Sequence, residues 1–277
     1  MLGLRHDGWG QSGQKAGIPG RFGVPETRRE CAAKCGDHTD LHLPQMGISC
    51  PECLHNLGTM LSILYRLASC HGHCRGGDHL IEYILGRTCS TALSALSLLR
   101  QGYYDEALSL ARSIGETANL LTSFVKLPSR LQEWKGADAK ARLRDFAPVK
   151  VRLTLEGAKV PLPVDEERYR RLSSTATHVS PSIQPQSHNI VGIPTLGAMF
   201  QEIGAMVSLN ETAWATGWAG VAGARLMKLP SEEYSRIKGV AIDLLASVGG
   251  VTILKSEEIR SEYWQKMAAS LEGTDEA

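Results

Sequence analysis

The stretch YRRLSSTATH, residues 169–178, places two arginines, several hydroxyl groups and a histidine within ten consecutive residues. In an α-helix, Arg171 and His178 share one face and lie about 10 Å apart along the axis. Ser174 falls between them on that face. Helical side chains lean toward the N-terminus, so His178 leans back toward Arg171. An anion held by Arg171 and the Ser174 hydroxyl would therefore lie within reach of the imidazole.

These residue types fit RNA cleavage without a metal ion. The reaction needs a base for the 2′-hydroxyl, an acid for the leaving oxygen and a cation for the phosphate. His178 lies near the predicted helix C-terminus, where the helix dipole favours a protonated ring, and imidazole titrates near neutrality. Arg171 would hold the phosphate while His178 acts as acid or base. One histidine from each subunit of a homodimer would supply both proton transfers.

The spacing of arginine and histidine is not specific by itself, because Arg66 precedes His71 and His73 at a similar distance. What distinguishes the stretch is its place in a predicted helix. That helix begins at an Asp165 N-cap, carries two glutamates in its first turn and ends before Pro181. The alternative interpretation is the polar side of a surface helix.

The elements around this stretch predict an all-α protein, a helical bundle with a cysteine-rich N-terminal appendage. Leucines at intervals of three and four mark a helix after Pro51. Two runs, 79–102 and 103–125, predict an antiparallel helical hairpin with Gly102 in its connection. Residues 149–157 alternate enough to predict a short strand or extended arm. Further helices are predicted over 129–145, about 195–227, 231–247 and 256–271.

The second helix of the hairpin presents two different faces. Its predicted buried stripe consists of Leu110, Ile114, Ala118, Leu121 and Val125. Arg112, Glu116 and Asn119 share another face, and one interpretation is that they support the same groove as Arg171. The alternative is an arginine–glutamate pair at i, i+4 with one polar cap on the core.

Composition divides the chain into three overlapping regions. Residues 1–45 are rich in glycine and polar side chains, which predicts a flexible tail. Residues 31–75 hold six of the seven cysteines, and residues 54–272 form the predicted bundle domain. Small residues around Gly217 and Gly220 predict close helix packing.

The cysteine-rich region is a candidate structural zinc site, which would order the tail against the bundle. Its first ligand set is Cys31, Cys35, Cys50 and Cys53, spaced C-x3-C-x14-C-x2-C. That spacing is near a zinc ribbon, and two thiolates separated by two residues can grip one tetrahedral ion. The alternative ligands are Cys70, Cys74, His71 and His73. Free thiols or a redox pair are the other interpretations.

The net charge of +1 excludes a chain-wide nucleic-acid binder. Residues 126–171 nevertheless hold twelve Lys or Arg against seven Asp or Glu, which suits a polyanion on one face or a solvated helical surface. The sequence shows no signal peptide and no long uninterrupted apolar stretch, so we expect a cytoplasmic protein with no membrane contact. Its thiols would then be reduced.

YRRLSSTATH and the preceding LLRQGYYDEALSLARSIGETANLL resemble the HEPN-like helical proteins of prokaryotic defence and toxin systems, over about residues 80–225. The similar positions are Arg100, Gly102, Glu106, Ala107 and Arg112 in the hairpin, and Tyr169, Leu172, Ser173 and His178 in the later helix. Arg171 and His178 match the superfamily signature of arginine, four to six residues and histidine. Leu172 departs from the signature, whose first intervening position is often polar.

The resemblance implies a metal-independent endoribonuclease that acts in antiphage defence or as a toxin. It also implies a homodimer in which the motif helices face each other, with RNA as substrate and a regulatory partner chain. Some members of the superfamily bind without cutting. The alternative is therefore a non-catalytic helical module that binds nucleic acid or a partner protein.

Overall fold

A computed structural model describes residues 26–46, 50–69, 77–177 and 199–248. These residues form ten α-helices and no strand, which confirms the predicted all-α class. The helices are α1 (Glu26–His42), α2 (Cys50–Ala68), α3 (Leu80–Arg100), α4 (Tyr104–Lys126), α5 (Ser129–Gly136), α6 (Ala139–Asp145), α7 (Pro148–Gly157), α8 (Glu166–Leu172), α9 (Glu202–Leu226) and α10 (Ser231–Ser247). A 3-10 helix, Leu43–Gln45, follows α1, and a π-helix, Ser173–Thr177, continues α8.

Helices α3 and α4 form the predicted antiparallel hairpin. The connection turns at Gly102, whose φ of 80° is a conformation that residues with a β-carbon rarely adopt. The chain is also crowded there, because a Cβ at Gly102 would lie 2.8 Å from the Cys35 sulfur. The turn therefore requires glycine for both its backbone conformation and its packing.

Helix α9 is the centre of the bundle, with 17 of its 25 residues buried. It runs parallel to α4: Ser208 donates a hydrogen bond to the carbonyl of Tyr104, and Ala215 packs beside Gly115 further along both helices. Two parallel helices need a long connection to return the chain to the starting end. That connection carries α5 to α8, and so it carries the candidate site.

The remaining core helices approach α9 at its small residues. Gly220 faces Met60 of α2, Gly223 faces Leu85 of α3, and Gly217 faces Leu244 of α10. A methyl group at any of these glycines would meet the facing side chain. The packing role predicted for the glycines of this region is confirmed.

Residues 149–157 are helical, so the predicted strand or extended arm is wrong. Pro148 occupies the first turn of α7, where its fixed φ suits a helix and its missing N–H costs nothing. Val151 and Leu155, four residues apart, are buried, and Arg152 pairs with Glu156 at 2.8 Å. The apolar residues of this segment thus follow a helical repeat, in which Val151 and Leu155 share the buried face.

Two other predicted elements differ in extent. Residues 26–42 form α1, within the segment for which composition predicted a flexible tail; residues 1–25 lie outside the described part. An ion pair holds α1 to the hairpin, because Asp40 accepts hydrogen bonds from Arg100 at 2.6–2.9 Å. The single helix predicted over 129–145 is two helices, since Asp138 caps α6 by accepting from the amide of Ala141.

Candidate functional site at helix α8

Helix α8 begins as the sequence predicts, with Asp165 as its N-cap. The Asp165 carboxylate accepts a hydrogen bond from the amide of Arg168 at 2.8 Å. Leu172, at the other end, packs in a small core cluster with Leu108 of α4 and Val207 of α9. This anchoring fixes which faces of α8 point to the bundle and which to solvent.

The helix does not continue in α-helical form beyond Leu172. Residues 173–177 are π-helical, and Thr177 donates a side-chain hydrogen bond to the Leu172 carbonyl, five residues back. Ser109 of α4 donates to the carbonyl of Ala176 at 2.7 Å, which draws this turn onto α4. The single α-helix predicted from 165 to 180 is therefore wrong over 173–177, where the spacing that aligned Arg171 with His178 does not apply. His178 itself lies outside the described residues.

Arg171 lies at the rim of α8, with 31% of its side chain exposed. Its guanidinium is 3.5 Å from Glu167 and 3.8 Å from Glu211. Ser174 is exposed and donates a hydrogen bond to the Arg171 carbonyl at 3.1 Å. The two groups that could bind an anion, the Arg171 guanidinium and the Ser174 hydroxyl, thus both lie at this rim.

Glu211 of α9 is the buried carboxylate behind this rim, with only 5% of its side chain exposed. Arg168 donates to it at 2.6 Å and also stacks on the ring of Trp214 at 4.3 Å. Trp214 in turn donates to the carbonyl of Pro163, which precedes α8. The sequence reasoning missed Glu211; its signal was a charged residue inside a helix made largely of small and apolar residues.

Arg112 and Glu116 form the i, i+4 ion pair that was one of the two interpretations, with N–O distance 3.1 Å. Arg112 also lies 4.4 Å over the ring of Tyr169 and donates to its hydroxyl, so the pair contacts α8. Burial raises the pKa of Glu116, and the nearby Arg112 opposes that rise. The Arg112–Glu116 pair of α4 thus packs against α8 through the Tyr169 side chain.

Asn119 fixes the start of α8. Its amide donates to the carbonyl of Val164 at 2.8 Å and accepts from the Val164 amide at 3.0 Å. Both backbone groups of Val164 are thereby satisfied next to the Asp165 cap. Asn119 is therefore a positioning residue.

We use the name α8 rim for Arg171 and Ser174; the exposed Arg170 lies on a different face of the helix. Arg112 and Arg168 do not belong to it, because each is committed to a carboxylate and an aromatic ring below the surface. A guanidinium and a hydroxyl at one helix end can hold an oxyanion. Proton transfer at the rim would have to come from His178.

The proposed zinc ligands are divided between surface and core. Cys31 is exposed, while Cys35, Cys50 and Cys53 are buried. Burial raises the pKa of Cys35 and Cys50 and raises that of Cys53 to about 11. Cys50 donates to the carbonyl of Leu43 at 2.9 Å, as a protonated thiol does.

Across residues 26–46, 50–69, 77–177 and 199–248, no three His, Cys, Asp or Glu side chains are grouped to hold a metal ion. Three thiols of the first ligand set, those of Cys35, Cys50 and Cys53, are buried while Cys31 is exposed, and zinc binding by this set stays a prediction. The alternative ligands Cys70, Cys74, His71 and His73 lie outside the described part of the chain.

None of the described helices has an apolar stretch long enough to cross a bilayer. In comparisons with known proteins, no family model, no curated protein and no solved structure matches this chain.

Proposed function

We propose that this all-α protein is a metal-independent endoribonuclease of the HEPN-like kind, acting in prokaryotic defence or as a toxin. The observation that carries the proposal is the position of Arg171. Its side chain, about a third of which is in solvent, lies beside the buried carboxylate of Glu211. A cation held in this way is oriented before an anion arrives, which is how a phosphate-binding group assists catalysis.

The residues would divide the reaction as follows. Arg171 binds the scissile phosphate, and the exposed Ser174 hydroxyl gives a second contact by turning its proton from the Arg171 carbonyl to a phosphate oxygen. His178 transfers the proton, because imidazole is the side chain whose ordinary pKa lies near neutral pH. In a homodimer, the second histidine would serve the other proton transfer.

The π-helix at 173–177 also supports a functional role for this end of α8. The π-helix is rare, and its single turns occur often at functional sites. This turn is held by a dedicated contact, the hydrogen bond from Ser109 to the Ala176 carbonyl. It directly precedes His178 in the sequence.

One observation favours the second candidate, a helical module that binds RNA or a partner without cutting. Arg171 already faces two carboxylates, Glu167 and Glu211. Their charge offsets part of the field that a phosphate would feel. A site of this kind binds an anion more weakly than an isolated arginine pair does.

The test uses purified protein on total RNA with and without EDTA, beside His178→Ala. Cleavage that survives chelation and is absent from the variant supports the endoribonuclease. RNA binding by both proteins, with cleavage by neither, supports the binding module. Cleavage that EDTA abolishes contradicts the metal-independent mechanism.

A further inference from the structure

Helices α6 and α7 each expose large apolar side chains. Leu143 of α6 is 78% exposed, and Val149 and Leu153 of α7 are 43% and 49% exposed. Val149 and Leu153 are four residues apart, so they lie on one stripe of α7. We call these three residues the α6–α7 face.

The helices that carry this face have an excess of cationic side chains. Helices α6 and α7 together carry five Lys or Arg residues against two carboxylates. Lys140, Arg142 and Lys150 among them are exposed. An apolar stripe flanked by positive charge is complementary to an amphipathic segment with acidic flanks.

We propose that the α6–α7 face docks residues 256–271 of the same chain. That segment lies outside the described residues, and its sequence predicts a helix. Its apolar side chains stand at intervals of four: Ile259, Tyr263, Met267 and Leu271. Glu257, Glu258 and Glu262 flank the first half of this stripe, against Arg260 and Lys266, so the segment has a net charge of −1. The segment thus offers both the apolar spacing and the charge that the face requires.

The chain can reach the face from the end of α10. A Cβ at Gly217 of α9 would lie 3.4 Å from Leu244, near the end of α10. Trp214, three residues earlier, donates a hydrogen bond to Pro163, in the connection between α7 and α8. Three helical residues span about 4.5 Å, so these two contacts lie at a similar height along α9. Residues 249–255 can extend about 25 Å from there.

Docking would also protect α7. This helix has ten residues, a length at which an isolated helix is marginal in water. Only its inner side, with Val151 and Leu155, is buried in the described part of the molecule. A segment packed on Val149 and Leu153 would cover the outer side and slow the opening of the helix.

The test is amide hydrogen exchange of residues 148–157 in the full chain, comparing wild type with Met267→Asp. The matched control is Gln265→Asp, which adds the same charge on the other side of the predicted helix. Met267→Asp should speed exchange in α7 about tenfold, equivalent to about 1.4 kcal/mol, with exchange in α9 unchanged. Gln265→Asp should leave α7 as in wild type.

The reciprocal variant Leu153→Asp keeps the test independent of changes within the segment. Since Leu153 is half exposed, this variant is expected to fold, and it should speed exchange in residues 256–271. Unchanged exchange in both reciprocal experiments would overturn the proposal. Protection of α7 that rises with protein concentration would overturn it as well, because a second copy would then be the occupant.

Discussion

At the residue scale, the partners of each arginine decide what it does. Arg168 is held at 2.6 Å by the buried Glu211 and lies against Trp214. Arg171 has contacts of 3.5 and 3.8 Å and is partly exposed. A short buried ion pair is costly to break, whereas a rim guanidinium can exchange one carboxylate for another anion. Arg168 therefore has a structural role, and Arg171 is the arginine for which we propose ligand binding.

Asn119→Ala should lower the free energy of unfolding by about 3 kcal/mol, because it leaves the buried amide and carbonyl of Val164 without their partner. Urea unfolding measures the change. Thr117→Ala on the same helix is the control, since Thr117 only donates to its own helix, and it should change stability by less than about 0.5 kcal/mol. If both variants changed the free energy of unfolding by the same small amount, the Asn119 contacts would contribute nothing to stability.

The buried Glu116 predicts a pH dependence of stability. Its pKa is raised from 4.5, mainly by burial, so the folded state keeps the proton to higher pH than the unfolded chain does. The free energy of unfolding should then fall as pH rises through that interval. Glu116→Gln removes the titration. The stability of wild type relative to the variant should decline as the pH rises above about 4.5; a constant or rising difference would contradict it.

The sequence allowed part of this site to be predicted. Asp165 was recognisable as a cap, and Arg171 and Ser174 as candidates, because those signals are local. The pairing of Arg168 with Glu211 joins residues 43 apart in sequence, and it depends on how α8 meets α9. Such a partner cannot be found from spacing along one helix.

At the element scale, the parallel arrangement of α4 and α9 creates the site. It forces the chain between them to cross the bundle, and α8 is the last helix of that crossing. The hairpin of α3 and α4 was predictable from its periodicity and from Gly102. Helix α7 was not, because alternating apolar residues fit a strand as well as a helix until Val151 and Leu155 pack inward.

Gly204→Ala tests the close approach of α4 and α9. A Cβ at Gly204 would lie 2.5 Å from the Tyr104 ring, which is fully buried and whose hydroxyl accepts from the Gln201 amide. The ring cannot move aside, so we expect a loss of about 1–3 kcal/mol in thermal or urea unfolding. Gly58→Ala is the control. A Cβ at Gly58 would have no neighbouring atom within 4 Å, so alanine should stabilise α2 by about 0.5–1 kcal/mol. If Gly204→Ala raised the free energy of unfolding as Gly58→Ala does, the result would contradict this close packing of α4 and α9.

At the scale of the whole molecule, Cys35, Cys50 and Cys53 are buried in the helical core, away from the exposed Cys31. We therefore expect Cys31→Ser to leave the zinc content of freshly purified, reduced protein unchanged in elemental analysis. If zinc is bound, Cys70→Ser with Cys74→Ser should remove it, since the first ligand set is divided between surface and core. Stoichiometric zinc that Cys31→Ser abolishes would contradict this division.

The central claim is that Arg171 binds phosphate at a metal-independent RNA-cleaving site. Its most direct test is the rate of RNA cleavage in EDTA by Arg171→Ala and by Arg170→Ala, the exposed neighbour that carries the same charge. We expect Arg171→Ala to lose about 100-fold, as removal of one group that stabilises transition-state charge does, while Arg170→Ala keeps the wild-type rate. Equal rates for the two folded variants would contradict the claim.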